Sequence, residues 1–199
     1  MTKQLRETAL ETLRTATPTT ERWTAAKYLE VSQPNDGNLI EVLGGELIMA
    51  ASPMPIHQKV VFRVAKLLDA FVGPRKLGEV YIAPMDVVLG DDLAEPDVLF
   101  VSTARKDIIK RERIVGAPDL VVEVLSLSTS QRDLRYKWDL YARSGVREYW
   151  VVNPEAETVE VLMLAENEYK RHALAEKEVD VTSTVLDGFS VAAKELFAE

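Results

Sequence analysis

A chain of 199 residues with 47% hydrophobic and 28% charged side chains has the composition of one globular domain, large enough to bury about 70% of its unfolded surface. It has no cysteine and only two histidines, which excludes disulfides, thiolate nucleophiles and thiolate zinc sites. Any metal must therefore be held mainly by carboxylates, which favours Mg²⁺ or Mn²⁺. The net charge of −8 argues against simple electrostatic wrapping of nucleic acid, and no apolar run approaches the ~20 residues of a membrane span.

The N-terminal region predicts an arm that precedes the folded domain. Residues 1–20 hold a short leucine pattern and a Thr/Pro tract, which is typical of a mobile arm or of a helix that packs on a partner subunit. Residues 21–199 are expected to form a single domain that begins with a short helix over 23–30. No signal peptide is recognisable and cysteine is absent, so we expect a cytoplasmic protein.

The next two segments predict a hairpin and a long helix, and each carries a polar residue of interest. Apolar runs on both sides of the glycine pair at 44–45 are typical of a β-hairpin, with Glu41 before its turn and Glu46 just after it. The segment 52–73 has helical apolar periodicity, and His57 falls on its apolar face in the first turn. Such acids are more often solvated and such histidines more often packed, so Glu46 and His57 are accessory site candidates only.

Two strands and a basic segment are predicted to follow. The strands cover 79–90 and 95–102, with a turn at residues 90–92. Asp97 follows a proline at the start of the second strand and is an acid on an otherwise apolar strand. The segment 103–113 is rich in lysine and arginine, which predicts either a basic surface beside an acidic site or a solvated charged loop.

A strand with one internal acid and a helix with one inward lysine come next. Residues 120–125 are aliphatic apart from Glu123, and a carboxylate in such a strand is costly unless a metal, a cation or hydrogen-bond donors meet it. Fourteen residues on, Lys137 lies on the flank of the apolar face of a predicted helix, from which it can point back at Glu123. Residues 128–130 can cap the start of this helix, and Gly145 can end it.

The rest of the sequence predicts strands over 147–154, 157–174 and 179–189 and a short final helix. Helices and strands in this order are typical of an α/β or α+β fold, with a sheet that has helices packed against it. We therefore expect a mixed sheet whose inner strands carry the two buried acids.

Asp97 and Glu123 are the acids best placed to share one metal ion. Neighbouring strands lie only about 4.8 Å apart, so these carboxylates can converge on one hard cation if their strands pair. Lys137 would then polarise an attacking water or stabilise developing charge. Asp119 lies about 13 Å from Glu123 along the same strand, and is either an accessory acid or a strand-start turn residue. The spacing equally allows a structural ion pair between Glu123 and Lys137, with Asp97 capping a turn.

Two blocks of this sequence closely resemble the Uma-type family of endonucleases, which belongs to the restriction-endonuclease-like PD-(D/E)XK superfamily. The blocks are EPDVLFV at 95–101 and GAPDLVVEVLSLSTSQRDLRYKWDLYARSGVREYWVVNP at 116–154. Weaker likeness extends over about residues 44–161. The resemblance implies a restriction-endonuclease-like mixed β-sheet flanked by helices and a Mg²⁺-dependent phosphodiester hydrolase site.

The resemblance also implies roles for individual residues. Asp97 matches the superfamily's metal-binding aspartate, and Glu123 matches the acid of its D/E-x-K motif. Leu125 stands where that motif has lysine. As in other members of the family, the lysine would come from the following helix, and Lys137 matches that position.

Three hypotheses follow. The first is a Mg²⁺-dependent or Mn²⁺-dependent endonuclease of DNA with Asp97, Glu123 and Lys137 as catalytic residues. We expect it to be a homodimer, since many enzymes that cut both strands of a duplex act as dimers. The second is a non-catalytic module of the same fold that binds metal or nucleic acid. The third is a structural subunit with a satisfied buried ion pair and no bound metal.

Overall fold

A computed structural model of the chain describes residues 22–31, 39–49, 52–126 and 131–198. The described helices are α1 (Ala25–Val31), α2 (Pro55–Arg75), α3 (Gln131–Ser144) and α4 (Lys194–Phe197), with a 3₁₀ helix over Thr103–Ile108. The described strands are β1 (Ile40–Leu43), β2 (Glu46–Met49), β3 (Gly78–Ile82), β4 (Val87–Leu89), β5 (Asp92–Ala94), β6 (Val98–Ser102), β7 (Ile114–Val115), β8 (Leu120–Val124), β9 (Glu148–Asn153), β10 (Thr158–Ala165), β11 (Glu168–Glu176), β12 (Asp180–Thr182) and β13 (Ser190–Ala192).

The strands of the described residues form one large sheet, one smaller sheet and a two-stranded ribbon. The large sheet has the order β11-β10-β9-β8-β6-β3, the smaller one the order β2-β1-β5-β4-β7, and the ribbon joins β12 to β13. Both sheets mix parallel and antiparallel pairs. The predicted class, a mixed β-sheet flanked by helices, is therefore confirmed.

β8 lies inside the large sheet and is buried along its whole length. It pairs antiparallel with β6 on one side and parallel with β9 on the other. A parallel pair needs a crossover connection, and α3 provides it between β8 and β9. Because a strand covered on both faces needs apolar residues at successive positions, the aliphatic run around Glu123 is accounted for.

β6 shows how the large sheet separates two hydrophobic cores. Val98 and Phe100 face the core that α2 and α4 cover. Leu99 and Val101 face the opposite core, which the smaller sheet and α3 cover. This alternation agrees with the period of two predicted for the strand. The site described below lies at the start of β6, next to the end of β8.

The predicted β1–β2 hairpin around residues 44–45 is confirmed, as are the long helix that begins at Pro55 and the short final helix. The single strand predicted over 79–90 is wrong. This segment forms β3 in the large sheet and β4 in the smaller one, and the residues between them, which include Pro84, are not in a strand. Proline lacks the N–H that a strand interior needs, so the chain leaves one sheet there and enters the other.

Other predictions fall at the edges of what is described. The proposed arm at 1–20 and the helix cap at 128–130 lie outside the described residues. Gly145 ends α3 as predicted, with a φ of +86° that favours glycine. Within the described ranges, no helix is both long enough and apolar enough to cross a membrane.

Candidate active site

The carboxylate of Glu123 on β8 meets a lysine and a tyrosine from α3. Lys137 Nζ lies 3.2 Å from each carboxylate oxygen, and Tyr141 donates a hydrogen bond of 2.6 Å to Oε1. Lys137 and Tyr141 are one helical turn apart, so they reach the strand side by side. Only 8% of the lysine side chain and 10% of the glutamate side chain are exposed. The lysine predicted to point back at the strand does so.

Asp97 reaches the same place from the neighbouring strand. It stands directly before β6, which pairs with β8, and its Oδ2 accepts a 2.7 Å hydrogen bond from the backbone N–H of Val124. His57 in the first turn of α2 places Nε2 3.3 Å from the same oxygen. Within the described residues, Oδ1 of Asp97 accepts no hydrogen bond, so it is available to a ligand.

Glu41 is a member of the site that the sequence analysis left out. Its Oε1 lies 2.9 Å from Lys137 Nζ and accepts a 2.8 Å hydrogen bond from the backbone N–H of Glu95. Every residue of β1 is buried, so Glu41 is an acid inside an apolar run, as Glu123 is. That signal was visible in the sequence.

Glu95 supplies a further buried carboxylate beside Glu41. Its Oε2 is buried and has no hydrogen-bond donor among the described residues. Burial, and then the charges of Asp86 and Glu41, raise the pKa of Glu95 to about 8. A buried carboxylate oxygen without a hydrogen-bond donor is stabilised by a proton or by a cation.

The electrostatics of the cluster favour an additional positive charge. Burial raises the pKa of Glu123 even though Lys137 opposes the shift, because Asp97 and Glu41 add negative potential. Burial lowers the pKa of His57, but the hydrogen bond and charge of Asp97 outweigh it and leave the pKa above its ordinary value. The carboxylates thus outnumber the cations that face them.

Hydrogen bonds centred on Asp92, which we call the clamp, hold the β1–β2 hairpin against α3. Asp92 Oδ1 accepts hydrogen bonds of 2.8 Å from the backbone N–H of Gly44 and from the Tyr136 hydroxyl, while Oδ2 receives Arg143 at 2.8 Å. Tyr136 precedes Lys137 in the helix. The clamp therefore fixes the distance between β1 and α3 at which Glu41 meets Lys137.

Asp119 and Glu46, the two acids named as accessory candidates, lie elsewhere. Asp119 directly precedes β8, at the end of the strand opposite Glu123, and is fully buried. Its carboxylate accepts a hydrogen bond from the Ser102 N–H and forms ion pairs with Arg105 and Arg147. Burial opposes its ionisation, but these donors and cations hold the pKa of Asp119 below its ordinary value. Glu46 is an exposed residue of β2. The structure brings His57, the third accessory candidate, to Asp97.

The residues present fit a hard divalent cation. Among the described residues, no three or more His, Asp or Glu side chains are arranged to coordinate one ion. Mg²⁺ needs fewer, since it usually binds through one or two carboxylates and keeps several waters. Asp97 with its free Oδ1 and Glu123 supply two carboxylates, and the crowding of buried acids supplies the negative potential.

Three comparisons relate this chain to known proteins. Residues 25–194 match the family described as "Uma2: Putative restriction endonuclease". An uncharacterized protein of Synechocystis sp. is 28% identical over 125 residues, which cover 62% of this chain and 70% of that protein. The crystal structure of a putative nuclease belonging to DUF820 from Anabaena variabilis superposes with a TM-score of 0.74 at 20% identity, covering 88% of this chain and 97% of that one. The last of these establishes the fold.

Proposed function

We propose, from the premise that this chain belongs to the Uma2 family of putative restriction endonucleases, that it is a Mg²⁺-dependent or Mn²⁺-dependent endonuclease of DNA. The observation that carries the proposal is the buried contact of Lys137 with Glu41 and Glu123, next to an Asp97 with a free carboxylate oxygen. Two carboxylates from adjacent strands and a lysine from the helix that follows are groups that can support phosphodiester hydrolysis. We place the site in a single cytoplasmic domain over residues 21–199.

The metal, when bound to Asp97 and Glu123, would lower the pKa of a water and stabilise charge on the phosphate. Lys137 would donate a hydrogen bond that orients the attacking water or neutralises the developing charge. Glu41 and Tyr141 hold Lys137 and Glu123 in place, since each contacts one of them within 2.9 Å. His57 fixes the carboxylate of Asp97 through Oδ2 and leaves Oδ1 for the metal.

The proposal is tested by cleavage of supercoiled plasmid and of single-stranded DNA at low salt with Mg²⁺ or Mn²⁺. We expect wild-type cleavage that EDTA abolishes and that Asp97→Asn, Glu123→Gln and Lys137→Met each reduce by at least about 100-fold. Glu168→Gln, an exposed acid on β11, is the matched control and should cleave as wild type does.

Two outcomes would contradict the proposal. Equal cleavage by wild type and the three site variants would place the activity elsewhere or in a contaminant. No cleavage by the wild type, with metal and DNA binding intact, would favour the non-catalytic module. For cleavage of duplex DNA we expect a homodimer with one site for each strand, and sedimentation under assay conditions measures this.

A further inference from the structure

The outer face of α2 carries a basic stripe in an acidic protein. The helix contains four basic residues and one acidic residue, whereas the whole chain has a net charge of −8. Lys59, Arg63 and Lys66 follow each other at helical spacings of four and three, so their side chains form one row about 10 Å long. Lys59 and Lys66 are exposed and Arg63 is half-buried.

These three cations have no partner among the described residues. None of them forms a hydrogen bond or an ion pair with any residue of the described structure. Like charges at this spacing repel one another, so the row destabilises the helix unless an anion is present. The other basic segment of the chain differs in this respect, because its Arg105 is engaged with the buried Asp119.

An aromatic ring lies within the basic row. Phe62 is 65% exposed, the largest exposure among the exposed large apolar side chains of the described residues. It is three residues after Lys59 and four before Lys66, so it is next to both on the helix surface. Cations along a backbone track with an aromatic platform between them are the combination that binds unpaired nucleotides, whose bases stack on the ring.

The row begins at the end of α2 that holds His57 in the candidate active site, on the opposite, exposed face of the helix. His57, two residues before Lys59, contacts Asp97 at 3.3 Å. At 1.5 Å per residue, Lys66 lies about 14 Å along the helix from His57. The inner face of α2 is anchored in the core by Val60, Val64 and Leu68, each at most 1% exposed, so the row is held rigidly relative to the site.

We propose that this outer face of α2 is the binding surface for single-stranded DNA. The phosphates lie along Lys59, Arg63 and Lys66, and a base stacks on Phe62. The inference rests on the proposed nuclease function and names the form of DNA that the site receives. It also explains how a chain of negative net charge binds a polyanion, since the attraction is local.

The test measures binding of a fluorescein-labelled oligothymidine by anisotropy in EDTA, over a series of salt concentrations. We compare Lys59→Ala/Arg63→Ala/Lys66→Ala with the control Lys106→Ala/Arg111→Ala/Lys170→Ala, which removes the same charge at other exposed positions. Loss of three phosphate contacts should weaken binding by about 10-fold or more and reduce the slope of log K against log salt by about 2. The control should keep the wild-type slope.

The role of the ring is tested separately with Phe62→Leu and Phe62→Ala. Both should weaken binding of the oligothymidine by about 5- to 100-fold and leave binding of a duplex of equal length nearly unchanged. Gel filtration should show the same elution volume for all proteins. A changed elution volume in the Phe62 variants would instead assign the ring to a contact between two copies of the chain and would overturn the proposal.

Failure of this inference and failure of the proposed function are distinguishable. Binding is measured with the metal chelated, so it does not depend on cleavage. If both triple variants bind and respond to salt alike, the surface is wrong even when the wild type cleaves DNA. If only the α2 variant loses binding while the wild type never cleaves, the surface stands and the nuclease function does not. Equal unfolding midpoints for all variants exclude misfolding as the cause.

Discussion

Replacing Lys137 with methionine removes a lysine that Glu41 and Glu123 share. The three side chains are at most 10% exposed, so the two carboxylates cannot recover hydration when the lysine is lost. Breaking a buried ion pair by removal of one partner costs about 3–5 kcal/mol. For a chain of this size, that lowers the melting temperature by about 6–20 °C.

The assay is urea unfolding of the metal-free protein at pH 7 and pH 9. The cost of Lys137→Met should grow at pH 9, because burial raises the pKa of Glu123 to about 8, so that carboxyl ionises and needs the lysine mainly above this pH. Lys170→Met, at an exposed lysine of β11, is the control and should change the free energy of unfolding by less than about 0.5 kcal/mol. Adding Glu41→Gln and Glu123→Gln to Lys137→Met should restore part of the loss. A Lys137→Met protein as stable as wild type at pH 7 would refute the reasoning.

Three further changes test other contacts in the site. Tyr141→Phe removes the 2.6 Å donor to Glu123 and should lower the free energy of unfolding by about 1.5–3 kcal/mol in urea; no change would mean that the hydrogen bond is not formed. Since burial raises the pKa of Glu95 from 4.5 to about 8, the folded protein holds this proton more tightly, and stability present below pH 4.5 should be lost as the pH rises to about 8. Glu95→Gln should flatten that profile of melting temperature in EDTA, and an unaltered profile would contradict the pKa shift. Gly44→Ala should destabilise the protein more than Gly90→Ala. Both glycines have φ above +60°, but only at Gly44 would the new methyl meet a tyrosine ring of α3, at 3.0 Å. Equal losses of melting temperature in the two variants would argue against this packing.

The sequence was sufficient to predict the contact between Glu123 and Lys137. Glu123 is an acid in an aliphatic run, and the free-energy cost of burying an unpaired carboxylate requires a partner for it. Helical periodicity then placed Lys137 within reach, and the alternation of β6 placed Asp97 at its start. Each of these patterns lies within one short segment of the chain, so a single sequence is enough to reveal it.

What the sequence analysis missed depends on contacts between distant segments. Glu41 had the same signal as Glu123, but a hairpin strand usually keeps one face in water. Here both faces of β1 are buried, because Ile40 and Val42 pack in a core with α1 and Leu43 packs in the core that α3 covers. Glu95 lies outside any strand, and its burial comes from contacts that no local pattern encodes. The separation of β3 from β4 could have been predicted, since Pro84 interrupts the run.

We propose that the carboxylates around Lys137 form a metal centre and not a closed ion pair. Titration of the metal-free protein with Mn²⁺, followed by electron paramagnetic resonance of the free ion, measures this directly. We expect a single Mn²⁺ site per chain that is lost in Asp97→Asn and in Glu123→Gln and retained in Glu168→Gln. Wild-type protein that binds no Mn²⁺, or binding that survives in both site variants, would contradict it.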